Sequence, residues 1–170
     1  MIARIALACA VSLQVSVALA CDDGAVALFA CEASNGRRFI ELCAPSPIDA
    51  RTGFLQYRFG RLDKDGAERS VELTYPRERE GSLARFHGAT YTSQGIYVQS
   101  IRFASGDFDY TVFTRAKGSQ DLDAGVEVRD RKGGKTTTIS CSERPRFYIF
   151  ELKGLVACDP QTPVGKACIK

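Results

Sequence analysis

The chain has 170 residues, with 23 basic and 20 acidic side chains, seven cysteines, one histidine and no tryptophan. Its formal charge of +3 is spread over interspersed signs, without a block of like charges, which excludes the electrostatic footprint of a nucleic-acid or anionic-lipid binder. A lone histidine also excludes a three-histidine catalytic metal site.

The first twenty-one residues carry the strongest local signal. Arg4 supplies one positive charge, an apolar run follows from Ile5 to Ala18, and Ala18-Leu19-Ala20 has the small-x-small form of a cleavage site directly before Cys21. This pattern predicts a secretory signal, residues 1–20, removed after Ala20. The run is too short to span a bilayer, which takes about 20 apolar residues, and Gln14 interrupts it. Residues 21–170 are then a single exported domain, periplasmic or secreted. A lipoprotein signal also ends just before a cysteine. Such a signal usually has Leu three residues earlier, where this chain has Ala18, and a lipid on Cys21 would leave an odd number of thiols.

Cys9 leaves with the signal, so Cys21, Cys31, Cys43, Cys141, Cys158 and Cys168 remain. An even count in an oxidising compartment predicts three disulfides. No CxxC pair occurs, so a zinc cluster is not expected, and no motif calls for another metal or a cofactor.

Period-2 alternation runs through the rest of the chain and predicts strands. Ala25–Ala33 and Arg37–Cys43 flank Ser34-Asn35-Gly36, and Asn-Gly accepts the positive φ of a tight hairpin turn. Pairing about that turn sets Cys31 opposite Ile40 and Phe29 opposite Leu42. Ala27, Phe29, Cys31, Ile40 and Leu42 then form one core face, with Cys43 on the other. Further strands are expected at Phe54–Phe59, with Leu55, Tyr57 and Phe59 on one side, and at Ser70–Tyr75, with Val71, Leu73 and Tyr75 together. Gly95–Ala104 and Phe108–Thr114 follow. Gly125–Arg131 and Thr136–Cys141 flank Lys132-Gly133-Gly134-Lys135, and a two-residue Gly-Gly turn sets Val128 opposite Ile139 and Val126 opposite Cys141. Arg146–Leu152 is apolar on both sides and fits either a buried strand or a short helix.

About eight short antiparallel strands with turn signals between them predict an all-β, disulfide-stabilised β-sandwich or small β-barrel. Cys31 and Cys141 both face inward, which suggests a bridge between the early and late hairpins. Cys158–Cys168 then closes the C-terminal tail and Cys21 is left for Cys43, although six cysteines allow fifteen pairings.

Little catalytic chemistry is visible. His87 has no nucleophile elbow with it, and the cysteines are expected to be bridged. Asp63/Asp65, Asp107/Asp109 and Asp121/Asp123 are close in sequence, but glycoside hydrolysis needs carboxyl groups placed across a cleft. Asp63-Lys64-Asp65-Gly66 resembles the start of a calcium loop without its later ligands.

Ser105-Gly106-Asp107-Phe108-Asp109-Tyr110, followed by Thr114, Lys117 and Gly118, resembles the inhibitory segment of bacterial periplasmic and membrane-bound lysozyme inhibitors. Those families carry Ser-Gly-x-x-Tyr and, in the c-type group, Tyr-x-x-x-Thr-Lys-Gly. Here one extra residue precedes Tyr110, and Arg115-Ala116 separates Thr114 from Lys117. The resemblance implies a β domain whose loop enters the lysozyme cleft. Ser105 would donate to a catalytic carboxylate, Gly106 would permit close approach, Tyr110 would buttress the loop, and Lys117 belongs to the same binding set. Asp107 and Asp109 would oppose such an approach unless Arg102, Arg115 or Lys117 offsets them. Ser-Gly is equally a good turn between two strands.

The function expected is therefore non-catalytic binding of a protein partner, with a lysozyme-like cell-wall hydrolase as the specific target. The alternative is an envelope interaction or toxin-immunity protein using another surface, which a large exposed apolar patch away from 105–110 would favour. An enzyme would need Asp107 or Asp109 to converge with Glu127.

Overall fold

The computed structural model describes residues 21–22, 24–63, 69–118 and 121–170. Residues 1–20, where the sequence predicts a secretory signal, and Lys64-Asp65-Gly66 of the calcium-like loop lie outside them. Two sheets account for the described strands. Sheet A has the order β10-β1-β2-β3-β4, built from β1 (Val26–Ala33), β2 (Arg38–Ala44), β3 (Gln56–Leu62), β4 (Arg69–Tyr75) and β10 (Arg146–Phe147). Sheet B has the order β12-β11-β5-β6-β7-β8-β9. It contains β5 (His87–Ser93), β6 (Ile96–Ser105), β7 (Phe108–Lys117), β8 (Asp121–Asp130), β9 (Thr136–Ser140), β11 (Ala157–Thr162) and β12 (Gly165–Ala167).

The sheets do not close on themselves, so the architecture is sandwich-like and the barrel expectation fails. The described residues form twelve strands where about eight were expected: β5, β11 and β12 are too polar or too short to show apolar alternation, and β10 is two residues of the stretch left open between strand and helix. One pairing is parallel: β11 lies against β5 through Ala157–His87 and Cys158–Gly88. The ambiguous Arg146–Leu152 stretch divides into β10 and a 3-10 turn over Ile149–Leu152, with Ile149 and Leu152 buried. Three residues per 3-10 turn bring those two side chains to one side.

Turn chemistry explains the first hairpin. Ser34, Asn35 and Gly36 all have positive φ, and the register places Cys31 opposite Ile40 and Phe29 opposite Leu42, as expected. A bulge at Leu28 then alters the faces N-terminal to it. Leu28 turns into the main core, and Ala27 moves to the opposite face beside Ala30, Cys21 and Cys43. A second irregularity, between Phe59/Leu73 and Gly60/Val71, separates Val71 from Leu73 and Tyr75. Val71 is left 40% exposed, while Leu73 and Tyr75 pack on the core.

The second hairpin differs from expectation by two residues. Val126 opposes Ile139 and Val128 opposes Thr137. Gly134 alone of the glycine pair has positive φ, so the two-residue turn does not form. Instead the Asp130 carboxylate accepts the Lys132 N–H at 2.8 Å, the Asp130 carbonyl accepts the Gly134 N–H at 2.8 Å, and the loop widens to Arg131–Gly134. A shift of two preserves side-chain parity. Cys141 therefore still faces inward and bonds Cys31 across the two sheets. Cys21–Cys43 and Cys158–Cys168 complete the expected set.

The core centres on Phe103. Its ring stacks against Tyr75 at 4.6 Å and Tyr110 at 4.9 Å, with Tyr57 at 5.0 Å and Phe86 at 5.3 Å. Rings from both sheets thus meet at one residue of β6. On the other face of sheet A, Phe39 packs over Gly60. A Cβ on Gly60 would lie 2.1 Å from the Ser70 carbonyl oxygen and 2.7 Å from the Phe39 ring. Gly60→Ala will therefore destabilise the protein by about 1–3 kcal/mol, read as a lower urea midpoint. An unchanged midpoint would show that both the Ser70 backbone and the Phe39 ring move aside freely.

Candidate functional site

The β6–β7 hairpin ends where Ser105 pairs with Phe108, leaving Gly106-Asp107 as a two-residue turn. Gly106 has φ +58°, and a Cβ there would meet nothing within 4 Å. Glycine is thus required by backbone conformation, as at the first turn position of a type II′ hairpin. The neighbouring Arg131–Gly134 loop holds this tip. The Arg131 N–H donates to the Asp107 carbonyl at 2.9 Å, and the Arg131 guanidinium donates to the Gly106 carbonyl. The Lys132 ammonium reaches the Asp107 carboxylate at 2.7 Å, and Arg131 Nε lies 3.9 Å from Asp109. Lys132 and Asp107 are mostly exposed, so their ion pair contributes little energy. The backbone bonds carry the clamp. Phe108 stands 41% exposed at the rim.

The residues named from the sequence separate into two places. Ser105 and Gly106 are at this tip. Tyr110 lies two positions into β7, its ring parallel to Phe103. Lys117 and Gly118 sit at the far end of β7, where Lys117 pairs with Asp121. A ten-residue strand is about 33 Å long, so Lys117 does not share a site with Ser105.

The cations expected to offset Asp107 and Asp109 are engaged elsewhere. Arg102 holds Asp159 with two nitrogens at 2.9–3.0 Å. Arg115 donates to Glu127 at 2.6 Å, sits 3.6 Å from Asp123 and covers the Phe113 ring at 3.9 Å. Arg131 and Lys132 do the offsetting instead. The two-residue register error hid them: with a Gly-Gly turn, Arg131 is a strand residue, whereas the widened loop brings it to the neighbouring tip.

Those arginines organise the outer face of sheet B. Asp159 is 3% exposed, and Arg102 reaches it from β6 across the intervening strand β5. Glu127 stands opposite Thr111, diagonal to Asp109 on the adjacent strand. Each of these carboxylates has a guanidinium as its partner, Arg115 for Glu127 and Arg131 for Asp109. Burial holds the Tyr91 phenol above its ordinary value. Arg115 opposes that shift, and Asp159 and Glu127 add to it. His87 begins β5 opposite Arg102. All six described cysteines are disulfide-bonded and none is a free thiol. Cys21, Glu41 and Cys43 bring ligand-type atoms within 4.8 Å of one another, but the two sulfurs are bonded to each other.

The fold and the tip define a disulfide-tied β-sandwich that presents two interlocked loops at one end. Comparison with protein-family models, with curated proteins and with solved structures returned no match to this chain.

Proposed function

We propose that the protein is exported and non-catalytic, and that its β6–β7 tip enters the cleft of a lysozyme-like cell-wall hydrolase. The observation that carries this is the clamped tip. Gly106-Asp107 projects between Ser105 and Phe108, and Arg131 and Lys132 offset the two aspartates that would repel an acidic cleft. Ser105 donates a hydrogen bond to a catalytic carboxylate, Gly106 leaves room for close approach, and Tyr110 packs the base of the hairpin against Phe103. Export follows from the signal-like residues 1–20. Three disulfides, and the absence among the described residues of a helix long and apolar enough to cross a membrane, are compatible with an oxidising compartment.

The oxidised protein should inhibit at least one of the c-, g- and i-type lysozymes. Ser105→Ala should weaken inhibition about tenfold or more, the scale of a lost hydrogen bond to a charged group. Deleting Gly106-Asp107 should abolish it. Full inhibition by Ser105→Ala, or no inhibition of any type, retires the tip as the binding element.

A second reading has its own observation. Tyr97, Leu122, Tyr148 and Phe150 are 37–50% exposed, and they do not belong to the 105–110 loop. An exposed apolar patch of this kind marks an interaction surface, and it favours an envelope-binding role.

A further inference from the structure

The patch has a defined shape. The inner face of sheet B runs past the cover of sheet A, so Tyr97 lies 45% exposed on the face that buries Ile101 and Phe103. Opposite it, sheet A ends in the two-residue β10, and the chain continues through Tyr148 into the 3-10 turn. Two hollows of about 370 Å³ each lie along this segment, and both are lined by Arg146 and Tyr148. Gln99, Ala116 and Leu122 line the sheet B side. Tyr148 and Phe150 stand edge to face at 6.1 Å and are 49% and 50% exposed. Of the eight large apolar side chains exposed among the described residues, five (Val26, Tyr97, Leu122, Tyr148 and Phe150) surround this groove or adjoin it.

The rim carries two arginines, and one carboxylate, Glu151, lines the first hollow beside Arg146. Arg144 and Arg146 are exposed and form no ion pair among the described residues, unlike Arg102 and Arg115 on the outer face of sheet B. A groove with flat aromatic faces, an amide on its wall and two uncommitted guanidiniums has three requirements of a ligand. It needs an apolar face to stack, hydroxyls to bond Gln99, and carboxylates to take a planar fork. A carboxylated sugar ring meets all three at once. Peptide addition to the sheet edge is disfavoured, because β10 offers two residues between Pro145 and a 3-10 turn, and strand addition needs a longer run of free backbone groups.

We propose that the groove between the open end of sheet B and the Arg144–Phe150 segment binds an acidic saccharide chain, with Tyr97 and Tyr148 stacking on sugar faces and Arg144 and Arg146 holding carboxylates. This rests on the envelope-binding reading and is independent of the hairpin tip.

Calorimetric titration of the oxidised protein with hexagalacturonate tests it, with neutral chitohexaose and hexaglutamate run alongside. Saturable binding of the uronide is expected, with chitohexaose weaker. Arg146→Gln and Tyr148→Ala should each weaken uronide binding about tenfold or more. Both side chains are exposed, so these variants should keep the wild-type unfolding midpoint. Ser105→Ala should bind the uronide as the wild type does, while failing in the lysozyme assay, so the two sites fail separately. No saturable uronide binding at millimolar concentration overturns the proposal, as does binding that neither groove variant changes. Hexaglutamate binding as tightly as the uronide, and insensitively to Tyr148→Ala, would replace the saccharide with an acidic peptide.

Discussion

Replacing Cys31 and Cys141 together by alanine should lower the unfolding free energy by about 5 kcal/mol, the largest single effect expected in this chain. The bond closes a loop with a sequence separation of 110 residues, and the loop-closure entropy removed from the unfolded chain grows with that length. It also joins β1 of sheet A to the residue that follows β9 of sheet B, so it holds the two layers in place. Typical domains have only about 5–15 kcal/mol of stability, which puts the double variant near the limit of folding. Cys158–Cys168 makes the contrast, because its separation of 10 predicts a loss below about 3 kcal/mol for the matching alanine pair. Urea denaturation of both variants decides the matter. Equal losses would show that loop length does not govern the contribution of these bonds.

Glu41→Ala should cost about 3–5 kcal/mol, although Glu41 belongs to no candidate site. Its side chain is fully buried on the outer face of sheet A, 2.6 Å from Arg69 and 3.7 Å from Arg58. Arg58 is itself 9% exposed and also meets Asp22 at 2.8 Å, while Arg69 covers the Phe39 ring at 4.0 Å. Removing the carboxylate leaves two largely buried guanidiniums without their central counter-charge, and breaking a buried pair from one side costs far more than the intact pair contributes. Glu41→Gln should cost less, since its amide oxygen still accepts a hydrogen bond from Arg69. Replacing Glu41, Arg58 and Arg69 together by apolar residues of similar volume should come close to wild-type stability. A Glu41→Ala loss below about 1 kcal/mol would mean that water reaches the site and solvates the arginines.

Glu41 also shows where sequence reasoning stops. In Arg38–Ala44 it alternates with Ile40 and Leu42, so its placement on the opposite face was legible. That this face is covered was not. The cover comes from Cys21 and its neighbours, bonded back through Cys43, and from arginines on β3 and β4. The same division holds at the tip. Ser105-Gly106 was legible as a turn because glycine supplies the positive φ, but Arg131 and Lys132 reach it only through the widened neighbouring loop. Lys117 lies away from the tip for an equally simple reason: a ten-residue strand separates it from Ser105.

What the sequence determined by itself was parity along each uninterrupted stretch of strand: which side chains share a face between the irregularities that displaced Ala27 and Val71, that Asn35-Gly36 and Ser105-Gly106 make turns, and that Cys31 and Cys141 look inward. These depend on neighbours one or two residues away, and a register slip of two residues leaves them unchanged. The Cys31–Cys141 bond survived such a slip for that reason. The tertiary structure alone decided the bulge at Leu28, the parallel seating of β11 on β5, the burial of Glu41 and the groove beside Tyr148. Each depends on what packs against a face from a distant part of the chain, and alternation along a strand carries no record of that.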